Sequence, residues 1–413
     1  MVCHGLRGPG TSDEERVLIS SDPGRAPGAV TLDNWQAAPN LTWSFQHMAA
    51  VVPTEAISRG IGPVAPLARV RSSVADIKVN ARHGRPASTV AEIMAGTVTD
   101  AWMLAHRGVV LAEEYFGAMA QHTPHLLMSV SKSLVGSVAG ALAARGTLAL
   151  DAPVETYVPA LAGCGYAGAT VRHLLDMRSG IAFSEDYLDQ DADVRVLEEA
   201  IGWAPRRTAG VPRTMYDFLL TLRAKGPHGG PFDYRSCESD VLGWVCEAAA
   251  GVRMPVLMSD LLWSRIGAEV DANIGVDSAG AGMFDGGISA APGDLLRFGA
   301  MVLREGTSLT GEQVLPAAWL ADTFDGGPDS REAFAASPTA TLMPGGMYRN
   351  QYWFPSADPD VALCLGIHGQ MVYLNRREDL VAVKVSSWPT PQDAGKLFST
   401  LDAFDAVARE LGG

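Results

Sequence analysis

The chain has 413 residues, is 47% hydrophobic and carries a formal net charge of −14. This length predicts about two or three domains, or one domain with a large insertion, around a sizeable core. The acidic balance, without clusters of lysine and arginine, argues against nucleic acid as a partner. No apolar run is long enough to cross a membrane, and the N-terminal segment is too charged for a signal peptide. We therefore expect a soluble, cytoplasmic protein with no membrane partner.

Cysteine and histidine usage bears on metal and redox chemistry. The five cysteines are odd in number and include no CxxC pair, so neither a disulfide framework nor a zinc cluster is indicated. The nine histidines include no HExxH motif, and no glycine-rich nucleotide loop is present. We expect no metal and no cofactor. The chain also lacks a GxSxG motif, which excludes the commonest serine-hydrolase arrangement.

The N-terminal third begins without hydrophobic periodicity and then turns regular. Residues 1–30 are polar and rich in Gly, Pro and Asp, which predicts a flexible N-terminal arm. Two apolar runs at 101–106 and 109–116, joined by a two-residue turn, predict a β-hairpin. A helix is predicted at 133–145, with Gly146 as its C-terminal cap.

The remaining chain has helical patterns in its middle and strand patterns near its end. Strands are predicted at 361–366, 371–375 and 380–386, followed by an amphipathic helix at 392–411. The middle predicts helices at 171–177, 215–224, 239–250 and 255–266. The fold class is therefore α/β (α+β), an antiparallel sheet made from both ends of the chain and flanked by helices, with a mainly helical domain inserted. The predicted domains are the arm at 1–30, a sheet-containing α/β domain at 31–155 plus 286–413, and a mainly helical domain at 156–285.

A serine stands three residues ahead of a lysine where an extended segment meets the predicted helix. Residues at i and i+3 share a helix face, so the Lys132 amine can reach the Ser129 hydroxyl. A neutral amine can take the serine proton, and lysine is neutral near pH 7 only if burial or positive charge, such as a helix start, lowers its pKa. Alone this SxxK pattern is weakly specific, and the alternative is a core helix with an N-capping serine and a solvated lysine.

Further motifs in the same order make the chain resemble the β-lactamase-related serine hydrolases, in which SxxK is a catalytic signature. This resemblance implies a β-lactamase/transpeptidase-like fold with the active site in the cleft between the sheet-containing and helical domains. The motifs lie at 146–154, 172–175, 179–180, 286–289 and 294–295. Closer still, the chain resembles the aminohexanoate-dimer hydrolases, the nylon-oligomer amidases of that superfamily, at 32–36, 125–134, 218–223, 366–370 and 386–389.

The resemblance also implies the remaining catalytic groups. The family's catalytic tyrosine lies in a YxS or YxN motif, which falls here on Tyr234 with Ser236 as its last residue, and a phenol there can relay protons. Tyr348 begins a second such motif, which we expect to be a surface turn. The backbone N–H groups of Ser129 and Ile367 are expected to form the oxyanion hole. The lysine of the KTG triplet found in many relatives is absent.

Five residues are expected to bind substrate on the same grounds. Tyr187 matches a tyrosine that closes over bound amide, and the alternative is an ordinary loop aromatic. Glu198 matches an acid that meets the substrate's ammonium group, and the alternative is one more solvated carboxylate. Asp285 replaces an asparagine of the family and is expected to border the substrate end of the pocket. Ser236 is also assigned to the substrate side, as is His368, which is equally consistent with a strand-end histidine satisfied by its neighbours.

Together these residues predict a serine hydrolase that forms an acyl-enzyme at Ser129. The expected substrate is a small-molecule linear amide, such as an aminohexanoate dimer, or a short-chain ester. A β-lactam is less favoured because the KTG lysine is missing. A carboxylesterase, a D-amino-acid amidase and an acyl transferase stay open, and so does a homodimer. A catalytically silent binding domain is disfavoured because Ser129, Lys132 and Tyr234 are all present.

Overall fold

Sheet strands come from both ends of the part of the chain that the computed structural model describes, residues 26–80 and 86–412. The strands are β1 (Thr54–Ile57), β2 (Ala68–Arg69), β3 (Lys78–Val79), β4 (Ser88–Thr89), β5 (Thr99–His106), β6 (Val109–Tyr115), β7 (His125–Leu126), β8 (Ile181–Ala182), β9 (Arg223–Ala224), β10 (Ala272–Gly275), β11 (Ile288–Ala290), β12 (Met347–Arg349), β13 (Tyr352–Phe354), β14 (Val361–Gly366), β15 (Gln370–Asn375) and β16 (Leu380–Ser386).

Two sheets organise these strands. The larger has the order β12-β13-β14-β15-β16-β5-β6-β2, in which only the β2–β6 pair is parallel. The smaller has the order β1-β10-β11-β7 and is antiparallel, so it connects the chain before the catalytic motif with the chain near residue 280. Two short pairs, β3 with β4 and β8 with β9, complete the described sheets.

Helices cover the large sheet and fill the middle of the chain. They are α1 (Asn40–Ser44), α2 (Val90–Gly96), α3 (Val130–Ala144), α4 (Val171–Leu175), α5 (Asp193–Ala200), α6 (Met215–Leu219), α7 (Ser236–Ala250), α8 (Met254–Met258), α9 (Pro292–Leu303), α10 (Ala317–Asp325), α11 (Ser330–Ala335) and α12 (Ala394–Gly412). A π-helical turn, Ser259–Trp263, follows α8, and short 3₁₀ turns include Pro338–Thr341 and Ile367–Gly369.

The predicted α/β class and the sheet made from both ends are confirmed. The hairpin is β5–β6, the three late strands are β14, β15 and β16, and the closing helix is α12. Gly146 follows α3 with a φ of 72°, as its capping role requires. The arm at 1–30 lies mostly outside the described residues, and the domain division stays a prediction.

The secondary structure differs from the sequence predictions at several places. The helix predicted at 215–224 ends at Leu219, because residues 223–224 pair with β8 as strand β9. Strand β10 lies inside the range predicted to be mainly helical, and it pairs with β1 and β11. The Tyr348 motif is not a surface turn, since it belongs to strand β12 and its tyrosine is buried. Periodicity over two to four residues is too short to have predicted these strands.

Helix α3 runs through the centre of the molecule. Its residues from Val130 to Leu142 are all buried, so it is apolar on every side instead of amphipathic. Small residues let neighbours approach its backbone, and a Cβ added at Gly140 would lie 2.4 Å from the ring of Trp319 on α10. The catalytic motif therefore begins a helix whose position is determined by close packing.

Within residues 26–80 and 86–412, the apolar helix Val130–Ala144 is shorter than a membrane span. No single helix there is long and apolar enough to cross a bilayer. One bent pair, Ser236–Ala250 with Met254–Trp263, meets the length and composition requirement only when combined across an 82° bend.

We predict that Gly140→Ala destabilises the protein by about 1–3 kcal/mol, because the added methyl overpacks α3 against Trp319. Gly96→Ala is the matched control, since Gly96 also lies in a helix and has open space around a new Cβ. The control should be neutral or slightly stabilising. Thermal unfolding of both variants measures the difference, and equal midpoints would contradict the packing argument.

Candidate active site

The turn between β7 and α3 places Ser129. Strand β7 pairs with β11, and after three intervening residues the chain enters the helix at Val130. Met128, immediately before the serine, has a φ of 47°, a left-handed conformation that costs a non-glycine residue about 1–2 kcal/mol. The surrounding sheet and helix hold this turn, and Ser129 retains a side chain that is 9% exposed and lines a cavity.

Lys132 is buried one turn further along the same helix face. Its Nζ donates to Ser129 Oγ at 2.9 Å, to Ser236 Oγ at 3.1 Å and to the backbone oxygen of Asp285 at 2.8 Å. The Asp285 carboxylate lies 3.5 Å from Nζ. All three donors of the ammonium group thus have partners. The alternative of a solvated lysine is wrong.

Acidic groups determine the charge state of Lys132. Burial acts to lower the pKa of its amine, but the carboxylates of Asp285 and Glu185 act in the opposite direction and prevail, so the pKa lies above its ordinary value. The expected lowering of this pKa was therefore wrong for the free protein. The amine rests as an ammonium ion that donates to the Ser129 hydroxyl.

Two buried aspartates lie below the lysine. Asp285 is 4% exposed, and its backbone N–H donates to Asp240 Oδ1 at 3.1 Å. Burial and the charge of Asp285 raise the pKa of Asp240 well above its usual range. Asp285 lines neither of the two cavities described below, so the structure places it beneath Lys132 and not at the substrate end of the pocket.

Tyr234 covers the Ser129–Lys132 pair from the side of the helical segment. Lys132 Nζ lies 5.2 Å from the centre of its ring, which stacks on Trp353 at 5.1 Å. Burial raises the pKa of the Tyr234 phenol, while Lys132 and hydrogen bonding to Ser129 oppose that rise. Tyr234 is thus a neutral phenol in contact with both groups. Tyr348, in the second motif, points its hydroxyl at Gln351 instead.

The end of β14 approaches the serine turn closely. A Cβ added at Gly366 would lie 2.5 Å from the backbone oxygen of Leu127 and 3.1 Å from Cβ of Met128. Only glycine permits this approach, which brings Ile367 beside Ser129 on the wall of one cavity. The geometry is compatible with the predicted pair of oxyanion-hole amides.

An inner cavity of about 400 Å³ opens from Ser129. Much of its wall is apolar and aromatic, since Phe232, Trp353, Leu365, Leu397 and Phe398 line it. Its volume is in the range of small-molecule sites, about 300–1,000 Å³.

Tyr187 lines both this inner cavity and the outer cavity described next. It is 7% exposed, and its hydroxyl donates to Glu185 at 2.5 Å. Glu185 in turn accepts from the Ser236 backbone N–H at 2.8 Å and from its hydroxyl at 2.5 Å. Ser236 is therefore buried between Lys132 and Glu185 and lines neither cavity, contrary to a direct substrate contact.

An outer cavity of about 620 Å³ lies beyond Tyr187 and contains Glu198 in its wall. The Glu198 carboxylate accepts from Arg195 at 2.9 Å and from Gln36 at 3.1 Å, so the alternative of a solvated carboxylate is wrong. Burial raises the pKa of Glu198, and Arg195 opposes that rise. Arg195 also donates to the backbone oxygen of Tyr187, which ties the acid to the Tyr187 loop.

His368 is hydrogen bonded to its neighbours at one ring nitrogen, and its direct role toward substrate stays a prediction. Nδ1 is hydrogen bonded to the backbone oxygen of Trp388 at 2.7 Å, whereas Nε2 is buried without a partner. Burial lowers the pKa of His368 to about 4, so the ring is neutral at pH 7. The residue lines the outer cavity, although Nε2 itself is buried.

Sequence reasoning missed Glu185, Asp240 and Arg195. Asp240 lies four residues after Ser236 on α7, so helical spacing from the tyrosine motif could have indicated it. Arg195 lies three residues before Glu198 on α5, so helical spacing could have indicated it as well. Glu185 lies between β8 and α5, and its approach to Lys132 depends on tertiary packing. No cluster of three or more His, Cys, Asp and Glu suited to a metal ion occurs among residues 26–80 and 86–412.

The sequence and the fold are similar to those of known proteins. The family model described as Beta-lactamase matches residues 87–403. The chain is 38% identical over 392 residues to the 6-aminohexanoate-dimer hydrolase of Paenarthrobacter ureafaciens, covering 93% of this chain and 97% of the relative. A solved Bacillus anthracis structure assigned as a 6-aminohexanoate-dimer hydrolase superimposes with a TM-score of 0.84 at 26% identity, over 92% of this chain and 97% of the other. A family VIII carboxylesterase shares the fold, with a TM-score of 0.57 at 15% identity, over 77% and 96% of the two chains.

We predict that Asp285→Asn moves the acidic limb of the pH–rate profile to lower pH. The Asp285 carboxylate favours the ammonium form of Lys132, so removing its charge lowers the pKa of the amine, and the less protonated, reactive form then persists at lower pH. The measurement is kcat/KM against pH.

Asp186→Asn is the matched control, because that carboxylate is exposed and accepts from the Leu188 N–H. Its profile should coincide with that of the wild type. An unshifted limb in Asp285→Asn would show that Asp285 does not act on the group that limits the rate.

Proposed function

The chain belongs to the β-lactamase family, and from that premise we propose that it is a serine hydrolase that cleaves linear amides resembling the 6-aminohexanoate dimer, and short-chain esters. The observation that carries the proposal is the contact of Lys132 Nζ with Ser129 Oγ at 2.9 Å, with Tyr234 over both groups. The 38% identity to a 6-aminohexanoate-dimer hydrolase over 93% of the chain supports the substrate class.

Acylation begins with attack of Ser129 Oγ on the substrate carbonyl carbon. The reactive form of the Lys132–Tyr234 pair carries one proton fewer than its resting form. This pair accepts the serine proton and then protonates the leaving nitrogen. The developing oxyanion is held by the backbone N–H groups of Ser129 and Ile367, each worth roughly 3 kcal/mol of barrier. Water hydrolyses the acyl-enzyme by the same proton path in reverse.

Substrate orientation follows from the two cavities. Tyr187 covers the scissile amide at the mouth of the inner cavity, and Glu198 attracts an ammonium group in the outer one. His368 lines the same outer cavity and is assigned to the substrate side there. Asp285 and Ser236 act on substrate only through Lys132.

Esters should react through the same steps, because the oxyanion hole and the nucleophile act on either carbonyl and an alcohol leaves more easily than an amine. Carboxylesterase, D-amino-acid amidase or acyl-transferase activity therefore remains compatible with this site. The cytoplasmic location and a homodimer stay predictions from the sequence.

We predict that a fluorophosphonate adds covalently to Ser129, because the serine is held against Lys132 and opens to a cavity. Intact-mass measurement should show one adduct on the wild type and none on Ser129→Ala. The control is Ser131→Ala, since Ser131 is buried in the same helix and accepts from the Ile288 N–H. An adduct that persists in Ser129→Ala would end the nucleophile assignment.

We also predict that the linear 6-aminohexanoate dimer and a p-nitrophenyl ester are hydrolysed, whereas a cephalosporin is not, since the KTG lysine is absent. Side-by-side kcat/KM values measure this order. An added amine that diverts the acyl group from water, with an unchanged rate of p-nitrophenol release, would favour the acyl-transferase alternative. Faster turnover of the cephalosporin would overturn the substrate assignment.

A further inference from the structure

The inner cavity differs from the outer one in charge. Among the described residues that line the inner cavity, none is lysine, arginine or histidine. The outer cavity, in contrast, is lined by Arg195, Arg207 and His368 together with acids. Tyr187 and Pro391 line both cavities, so a linear substrate whose scissile bond lies at Ser129 places its two ends in different surroundings.

The inner cavity is lined by three acids, and the lysines that lie near two of them are already paired with those acids. Asp233 is paired with Lys225 at 2.6 Å, and Asp393 is paired with Lys396 at 2.7 Å. An entering carboxylate would have to displace Asp393 to reach Lys396. Glu185, the third acid, lies beside Lys132 and repels an anion.

From this asymmetry, and resting on the proposed amide hydrolysis, we propose that the inner cavity binds the amine side of the substrate and selects an uncharged, apolar chain there. The preferred substrates are then amides whose acyl part ends in an ammonium group, in the outer cavity beside Glu198, and whose leaving amine carries no free carboxylate. A carboxylate transferred into the inner cavity would lose its hydration without gaining a cationic partner. An alkyl chain would instead gain from contact with Trp353, Leu365 and Phe398.

The test compares two amides of equal length. N-hexyl-6-aminohexanamide and the linear 6-aminohexanoate dimer differ only in a terminal methyl group against a carboxylate on the leaving amine. We expect kcat/KM for the hexyl amide to exceed that for the dimer by at least about tenfold. Shortening the alkyl chain from hexyl to butyl should lower kcat/KM by about three- to fourfold per methylene.

Replacing one leucine by arginine in each cavity tests the contributions of the two cavities separately. Leu342 is 57% exposed and lines the inner cavity, whereas Leu188 is 78% exposed and lines the outer one. Leu342→Arg supplies the missing cation and should reduce the hexyl-amide preference by about fivefold or more. Leu188→Arg places the same charge near the substrate ammonium, so it should weaken both substrates and leave their ratio unchanged.

The outcomes distinguish this inference from the proposed function. If the wild type cleaves both amides through Ser129 but favours the dimer, or if Leu342→Arg leaves the ratio unchanged, the inner-cavity assignment is overturned and the hydrolase stands. If neither amide is cleaved although Ser129 reacts with a fluorophosphonate, the amide-hydrolase proposal fails, and the inference fails with it.

Discussion

The buried ammonium group of Lys132 is the constraint on which the site depends. An isolated charge removed from water is so costly that it must be compensated by hydrogen bonds and opposite charge. Ser129 and Ser236 accept two of its hydrogen bonds, and Asp285 supplies both a backbone oxygen at 2.8 Å and a carboxylate at 3.5 Å. These partners come from three separate segments of the chain. The cation therefore requires the sheet, α3 and α7 to meet in one arrangement.

Close backbone approach is the second requirement, because the oxyanion strand must reach the serine turn. Gly366 permits that contact at one end of β14, and Gly140 lets α10 pack on the helix that Ser129 begins. Each position leaves no room for a methyl group. The geometry of the reacting groups is thus determined by packing around α3 as much as by their own hydrogen bonds.

The sequence predicted the elements with strong local signals, such as the β5–β6 hairpin, β14 to β16 and the cap at Gly146. It also predicted the Ser129–Lys132 contact, because the pair lies within one helical turn. It failed where the determining interaction is non-local. The carboxylates that raise the pKa of Lys132 are remote in the chain, and short strands such as β9 exist only through their partners. Asp285 was expected to face substrate but lies beneath Lys132, and this placement also depends on segments that are remote in the chain.

A chain of hydrogen bonds connects substrate entry with the nucleophile. Lys132 donates to Ser236, Ser236 donates to Glu185, and Tyr187 donates to the same Glu185 oxygen. Hydrogen bonds to a charged group contribute about 1.5–3 kcal/mol each, so a substrate that moves the Tyr187 hydroxyl changes how strongly Glu185 acts on Ser236 and Lys132. The residue that separates the two cavities is thus coupled to the proton-transfer pair. In the proposed reaction, the position of Tyr187 and the activation of Ser129 are linked through one carboxylate, Glu185.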